Sequence, residues 1–266
     1  MYSFKYRRAR SVDEAAALLV ASPEARPLAG GQSLVAAMKL RLADPGEVVD
    51  LGALPELSGI RVEPGGVVIG AMTRHAVVAA SAALRDALPA LAALAGGIAD
   101  RMVRNMGTLG GSIANNDPAA DYPAAVLGLG AAIVTNGREI DADDFFTGMF
   151  ETALEPGEII TGARFPVPVR AAYMKFRHPA SRFAVVGVFV ADFGGDGVRV
   201  AVTGAGPVVF RVPAMERALG ERFAPEAIAG IEISQDGLIA DVYAEADYRA
   251  HLVTVMAMRA VESAST

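Results

Sequence analysis

Apolar residues along this chain come in short bursts, cut by glycine, proline and acidic residues, and each burst predicts a short element. Ser11-Val12-Asp13-Glu14 is a capping box ahead of an alanine-rich run, which predicts a helix to about Ala21. Arg26 to Ala29 reads as a short strand entering a glycine pair. Leu34 to Leu42 reads as a helix halted by Asp44-Pro45-Gly46, and Val48-Val49-Asp50 as a second strand. Together they predict a compact βαβ-like lobe of about 50 residues.

The texture changes near Leu57. Gly59–Val62 and Val67–Gly70 flank Glu63-Pro64-Gly65-Gly66, the pattern of a hairpin. Thr73 is placed to cap a helix through Ala80, and a second helix is predicted from Pro89 to Gly96. A long polar loop follows, then strands near Ala131–Thr135 and Glu158–Phe165, with a turn or short helix at Asp143-Asp144-Phe145-Phe146. Pro166-Val167-Pro168 marks a boundary. Beyond it the apolar runs Ala172–Arg177, Ala184–Phe193 and Val198–Thr203 predict strands, the last two joined through Gly194-Gly195-Asp196-Gly197. Helices close the chain, the clearest from Ala246 to Ser263. Strands followed by helices make this part α+β.

The most informative chemistry lies in two glycine-rich stretches. One is Ala29-Gly30-Gly31-Gln32-Ser33-Leu34. The other is Arg104-Asn105-Met106-Gly107-Thr108-Leu109-Gly110-Gly111-Ser112, continuing into Asn115-Asn116-Asp117-Pro118-Ala119-Ala120-Asp121. Glycine permits close backbone approach and positive φ, so such loops aim several N–H donors at one spot, as a phosphate or pyrophosphate requires. Two in one chain suit a ligand gripped at two places, such as a dinucleotide. The plainer readings are a tight turn for the first and a surface loop for the second. Gly204-Ala205-Gly206 is not a dinucleotide fingerprint, because Val209 stands where the third glycine belongs.

Composition removes other functions. The 266 residues are 53% hydrophobic, yet no apolar run reaches the roughly 18 to 20 residues of a membrane span. The start, Met1 to Arg8, is basic, but no long apolar segment follows, and the expectation is a cytoplasmic protein. A net charge of −6 without a basic block argues against nucleic acid. With no cysteine, the chain has no thiol nucleophile and no ligands for a cysteine-bound iron–sulfur cluster. His75, His178 and His251 lie too far apart in sequence for a metal-ligand motif.

Several polar residues keep two readings. Asp121 is either a helix N-cap or an acceptor for sugar or ribityl hydroxyls. Thr73-Arg74-His75 is either a helix start or part of a ligand wall. Lys175 and Arg177 are either solvated cations on an edge strand or positive charge beside a reduced, anionic cofactor.

The order of these pieces resembles the FAD-binding medium subunits of molybdenum hydroxylases, of the carbon monoxide dehydrogenase and xanthine dehydrogenase kind. The resemblance rests on Leu28-Ala29-Gly30-Gly31-Gln32-Ser33-Leu34, Met38-Lys39-Leu40-Arg41-Leu42-Ala43, Ile69-Gly70-Ala71-Met72-Thr73-Arg74-His75 and Val103-Arg104-Asn105. It continues through Thr108-Leu109-Gly110-Gly111-Ser112, Asp117-Pro118-Ala119-Ala120-Asp121, Tyr173-Met174-Lys175-Phe176-Arg177 and Ala246-Asp247-Tyr248-Arg249-Ala250-His251-Leu252. It spans nearly the whole chain.

The resemblance implies an α+β fold. Residues 1–167 would form a two-lobed FAD-binding domain of the vanillyl-alcohol-oxidase (PCMH) type, with lobes of about 1–55 and 56–167. Residues 171–266 would form a C-terminal domain of a three-stranded antiparallel sheet with helices. It implies non-covalent FAD, with Ala29, Gly30, Gly31, Gln32, Ser33 and Leu34 at the pyrophosphate and Thr108, Gly110, Gly111 and Ser112 clamping it from the other lobe. Asp121 would bind ribityl hydroxyls, Thr73 and His75 would lie along the cofactor, Lys175 would approach the isoalloxazine edge, and Phe183 would pack near the ring. Relatives often carry His or Thr at Gln32, Asn at Ser112, and an acidic or small residue at Arg182.

The family pattern also implies partners. A small subunit would carry two [2Fe-2S] clusters and a large subunit the molybdenum cofactor, in a dimer of heterotrimers. The complex would be cytoplasmic, with association at the inner face of the membrane open to it. The implied function is electron transfer from the clusters through FAD to an external acceptor. The alternatives are a free-standing flavin-dependent oxidase and a flavin-less structural module of the same fold. No catalytic residue and no metal ligand is assigned to this chain.

Overall fold

The computed structural model describes residues 1–265. The first lobe is a parallel sheet of β1 (Lys5–Arg8), β2 (Ala25–Leu28) and β3 (Glu47–Asp50), in the order β1-β3-β2. The central strand supplies the buried pair Val48-Val49. β1 is an addition to the sequence reading. All four of its residues are exposed, so it has no apolar pattern to announce it. The helix Val12–Ala21 starts where the capping box predicts. Ser11 Oγ accepts from the Glu14 N–H at 3.1 Å, and Glu14 reaches one residue further back than usual, to the Arg10 N–H at 2.9 Å. The helix after the first glycine stretch is Leu34–Lys39, shorter than predicted, because Arg41 takes φ 61°.

The second lobe is an antiparallel sheet with helices. Its strands are β4 (Ile60–Glu63), β5 (Gly66–Gly70), β6 (Ala132–Thr135), β7 (Glu139–Asp141) and, after a small hairpin of β8 (Phe146–Gly148) and β9 (Glu151–Thr152), β10 (Ile160–Pro166). The order β4-β5-β10-β6-β7 puts β10 at the centre. The predicted helix Pro89–Gly96 is present, and Ala82–Ala87 and Arg101–Met106 are additional helices.

The second glycine stretch is not one long loop. Residues Leu109–Asn115 form a helix, capped by Thr108 Oγ1 on the Gly111 N–H at 3.2 Å. Two predicted caps are not caps. The helix His75–Ala80 begins after Arg74, and Thr73 Oγ1 instead bonds Gly59, accepting from its N–H and donating to its carbonyl. Asp121 occupies the N-cap position of Tyr122–Gly128 but makes no side-chain cap bond.

The C-terminal sheet has four strands rather than three: β11 (Arg170–Arg177), β12 (Ala184–Asp192), β13 (Val198–Thr203) and the two-residue β14 (Phe210–Arg211). A pairing this short leaves no alternation to read. β12 is buried at every position because both its faces are covered. Val186, Val188 and Val190 pack toward the helices Pro213–Glu221 and Ala246–Ala264, while Phe189 and Ala191 join the core of the second lobe. That shared core is what fixes the C-terminal sheet against the lobe. The first lobe has a smaller core of its own, around Val49, Leu54 and Leu57.

Candidate FAD-binding cleft

A cleft of about 610 Å³ opens where the two lobes and the β11–β12 connection meet. That is within the roughly 300–1,000 Å³ range of small-molecule sites. Among the sequence-derived residues, Ala29, Gly31, Gln32, Ser33 and Leu34 line it from one lobe. His75, Thr108, Gly110, Gly111, Ser112 and Asp121 line it from the other. Gly30, Thr73 and Lys175 are not in its wall.

The first stretch leaves its donors free. Among the described residues, no main-chain N–H from Ala29 to Ser33 donates a hydrogen bond within the chain, and the Ser33 hydroxyl has no partner. Gly31 holds φ +71°, which turns the chain between β2 and the following helix. Gly30 serves closeness instead. A Cβ there would collide with the Met106 carbonyl, so this glycine seats one lobe against the other.

From Leu109 to Ser112 the second stretch has spent its main-chain donors on the fold. The N–H groups of Leu109 and Gly110 donate to Thr73 and Ala71 carbonyls at 3.0 and 2.8 Å. Those of Gly111 and Ser112 donate to Thr108, at Oγ1 and at the carbonyl. A Cβ on Gly110 would stand 2.5 Å from Ala71 Cβ, so Gly110 lets this helix press on the end of β5. What the stretch offers the cleft is side chains, above all the unpartnered Ser112 hydroxyl.

Asp121 sits at the cleft floor with 4% of its side chain exposed. Tyr173 donates to it at 2.6 Å and the Lys175 ammonium lies 2.9 Å away. Burial pushes the carboxyl up and Lys175 opposes that push. Lys175, 7% exposed, also donates to the Arg182 carbonyl at 3.1 Å. It is therefore a buried tie between the floor and the 178–183 connection, and the solvated-cation reading does not hold for it. Arg177 is exposed at the end of β11.

His75 is 5% exposed, and burial followed by the nearby Arg104 charge lowers it to about 4, so the ring is neutral at physiological pH. Arg104 is itself held by the carbonyls of Ile98 and Ala99.

Sequence reasoning missed the apolar part of the wall. Ile98, Ala99, Phe150, Leu154, Ile159 and Ile160 all line the cleft. An apolar residue reads the same in a core as in a cleft, so no local signal marked them. Phe150 is delivered by the β8–β9 hairpin, which Asn116 ties down by donating to the carbonyls of Gly148 and Glu151 at 2.8 and 2.7 Å. Arg182 and Phe183 add the third side, and Arg182 reaches the Ala99 carbonyl at 3.4 Å.

Comparison with known proteins decides what family this cleft belongs to. The family model for the FAD binding domain in molybdopterin dehydrogenase matches residues 2–168. The chain belongs to this family of FAD-binding molybdenum hydroxylase subunits. It is 37% identical to the carbon monoxide dehydrogenase medium chain of Hydrogenophaga pseudoflava, over 98% of this chain and 96% of that one. It is 36% identical to the nicotine 6-hydroxylase medium subunit of Paenarthrobacter nicotinovorans, over 98% and 97%. A solved carbon monoxide dehydrogenase from H. pseudoflava superposes with a TM-score of 0.91 at 37% identity, covering 99% of this chain and 98% of that chain. The chain is thus a subunit type found in oxidoreductase complexes of the carbon monoxide dehydrogenase and xanthine dehydrogenase kind.

The cleft fits FAD on its own chemistry. It presents a cluster of uncommitted main-chain donors for a pyrophosphate, apolar walls for ring systems, and a buried carboxylate for hydroxyls.

Proposed function

We propose that this chain holds one FAD non-covalently between its two lobes and passes electrons from [2Fe-2S] clusters on a small partner subunit to an acceptor outside the complex. The molybdenum cofactor and the substrate belong to a large partner subunit, and the assembly is a dimer of heterotrimers in the cytoplasm. Within the described residues no helix is long and apolar enough to cross a membrane. We assign residues 1–55 and 56–167 to the lobes of a vanillyl-alcohol-oxidase-type FAD domain, and 171–266 to the C-terminal domain.

The observation that carries this reading is the run of uncommitted N–H groups from Ala29 to Ser33, four of whose five residues line the cleft. These donors bind the pyrophosphate, with the Ser33 and Ser112 hydroxyls beside them. The carboxylate of Asp121 retains acceptor capacity for ribityl hydroxyls after its bonds to Tyr173 and Lys175. Lys175 fixes that carboxylate and steadies the connection bearing Phe183. Bound FAD supplies the redox chemistry, taking up and releasing electrons one or two at a time. The chain excludes water and orients the cofactor.

Similar chains serve enzymes named for carbon monoxide, nicotine and caffeine, which supports a substrate site on another subunit. Two measurements test the proposal. Acid precipitation of the purified chain should release FAD to the supernatant. FMN there, or colour kept in the washed pellet, contradicts the site. Native purification should bring iron and molybdenum with the chain. Oxidation of an organic substrate by the isolated chain would instead support a free-standing oxidase.

A further inference from the structure

Among the described residues, three buried side-chain polar atoms lack a hydrogen-bond partner: His75 Nδ1, Tyr122 OH and Arg249 Nε. The first two belong to rings in contact, with centroids 5.2 Å apart and planes at 48°. Tyr122 is fully buried and His75 nearly so. Buried polar groups in folded proteins are almost always satisfied, by protein or by ordered water. The two orphans are chemically complementary. A phenol O–H donates, and a neutral imidazole nitrogen accepts.

His75 belongs to the cleft wall, and its other nitrogen, Nε2, is not among the buried orphan atoms. Nε2 lies only 2.6 Å from where a Cβ on Gly107 would stand, so the absence of a side chain at Gly107 makes room for the ring edge. The backbone fixes the ring's root, because the His75 N–H donates to the Gly107 carbonyl at 2.9 Å. The nearby charged groups are Arg104, which acts on His75, and Asp121, which acts on Tyr122. Burial is the main force against charging either ring; the Arg104 charge further disfavours an imidazolium and the Asp121 charge a phenolate. Both rings stay neutral, which leaves the choice of tautomer as the open variable.

We propose that Tyr122 is a positioning residue: its hydroxyl, through a buried water, donates to His75 Nδ1 and so fixes His75 as the Nε2–H tautomer, a neutral donor toward an oxygen of the nucleotide bound in the cleft. The first half concerns the chain alone. Only the second half rests on the reading of the cleft as the FAD site.

The test is nitrogen NMR on the full chain with labelled histidine, the three histidines being assigned through His178→Gln and His251→Gln. The flavin-free chain should show His75 protonated at Nε2 and bare at Nδ1. Tyr122→Phe should give a mixture of both tautomers. A Nδ1–H signal in the parent, or an unchanged single tautomer in Tyr122→Phe, overturns the proposal. Titration with FAD supplies the second arm. Tyr122→Phe should weaken binding about fivefold, as loss of one oriented donor does. In a His75→Gln background, where no tautomer exists, the same substitution should have no effect. Equal weakening in both backgrounds would mean that Tyr122 acts only through packing, and would overturn the coupling. A chain that binds no FAD at all refutes the proposed function, and the tautomer measurement still decides the role of Tyr122.

Discussion

Between Ala29 and Ser33 glycine leaves main-chain donors free, whereas between Gly107 and Ser112 it lets segments of chain touch. The first stretch turns at Gly31 with φ +71° and commits none of its five N–H groups within the described residues. From Leu109 to Ser112 the second has donated its N–H groups to Ala71, Thr73 and Thr108, and Gly110 presses on Ala71. The two stretches look alike in composition, yet one keeps its donors uncommitted beside the cleft and the other is mostly a joint. Glycine content alone does not separate these uses. The fate of the N–H groups does.

The comparison is broken most severely at the joint. Gly110→Val should destabilise the chain by about 3 kcal/mol, the upper end for overpacking, since the new atoms meet Ala71 backbone as well as side chain. Urea denaturation measures it. A loss below about 0.5 kcal/mol would show that the helix can simply slide away.

Acid should loosen the same joint by a similar amount. His75 is neutral in the fold and lowered to about 4, against about 6.5 for a histidine in the unfolded chain. The unfolded state therefore binds more protons between those values, and stability falls as pH drops from about 6.5 to about 4. The loss amounts to roughly 3 kcal/mol. Replacing His75 by Gln should flatten that part of the stability curve. An unchanged slope would mean that His75 is not the group titrating.

The first stretch should respond differently. Gly31→Val should leave a folded chain, costing about 2 kcal/mol for a side chain held at positive φ, but no FAD should remain bound after gel filtration. Full occupancy would reduce the first stretch to a turn. The smallest effect is expected at Ser112→Ala. Removing one hydroxyl donor should weaken FAD binding by about 1 kcal/mol, or roughly fivefold, with stability unchanged.

Much of the framework was legible because local patterns and burial agree. The capping box at Ser11 and the Pro89–Gly96 helix stand where the sequence placed them. The apolar run of β12 announces a strand covered on both faces. β1 and β14 were not legible, one wholly exposed and the other two residues long. Most of the polar and glycine residues picked out by type line the cleft, but Gly30, Thr73 and Lys175 do not. The commitments of these residues were not legible, since Asp121 suits a helix cap by its sequence context and turns instead to Tyr173 and Lys175. Those partners come from a strand more than fifty residues away, as the hydrogen-bond separations of 52 and 54 residues show.

Amide hydrogen exchange on the chain, with and without FAD, tests the central contrast most directly. In the flavin-free chain the amides of Ala29–Ser33 should exchange fast and those of Leu109–Ser112 slowly. Adding FAD should slow the first set at least about tenfold and leave the second nearly unchanged, as free donors acquire an acceptor and committed ones do not. Exchange at Ala29–Ser33 that ignores saturating FAD would contradict the account, because the cofactor would then be held without the donors assigned to it.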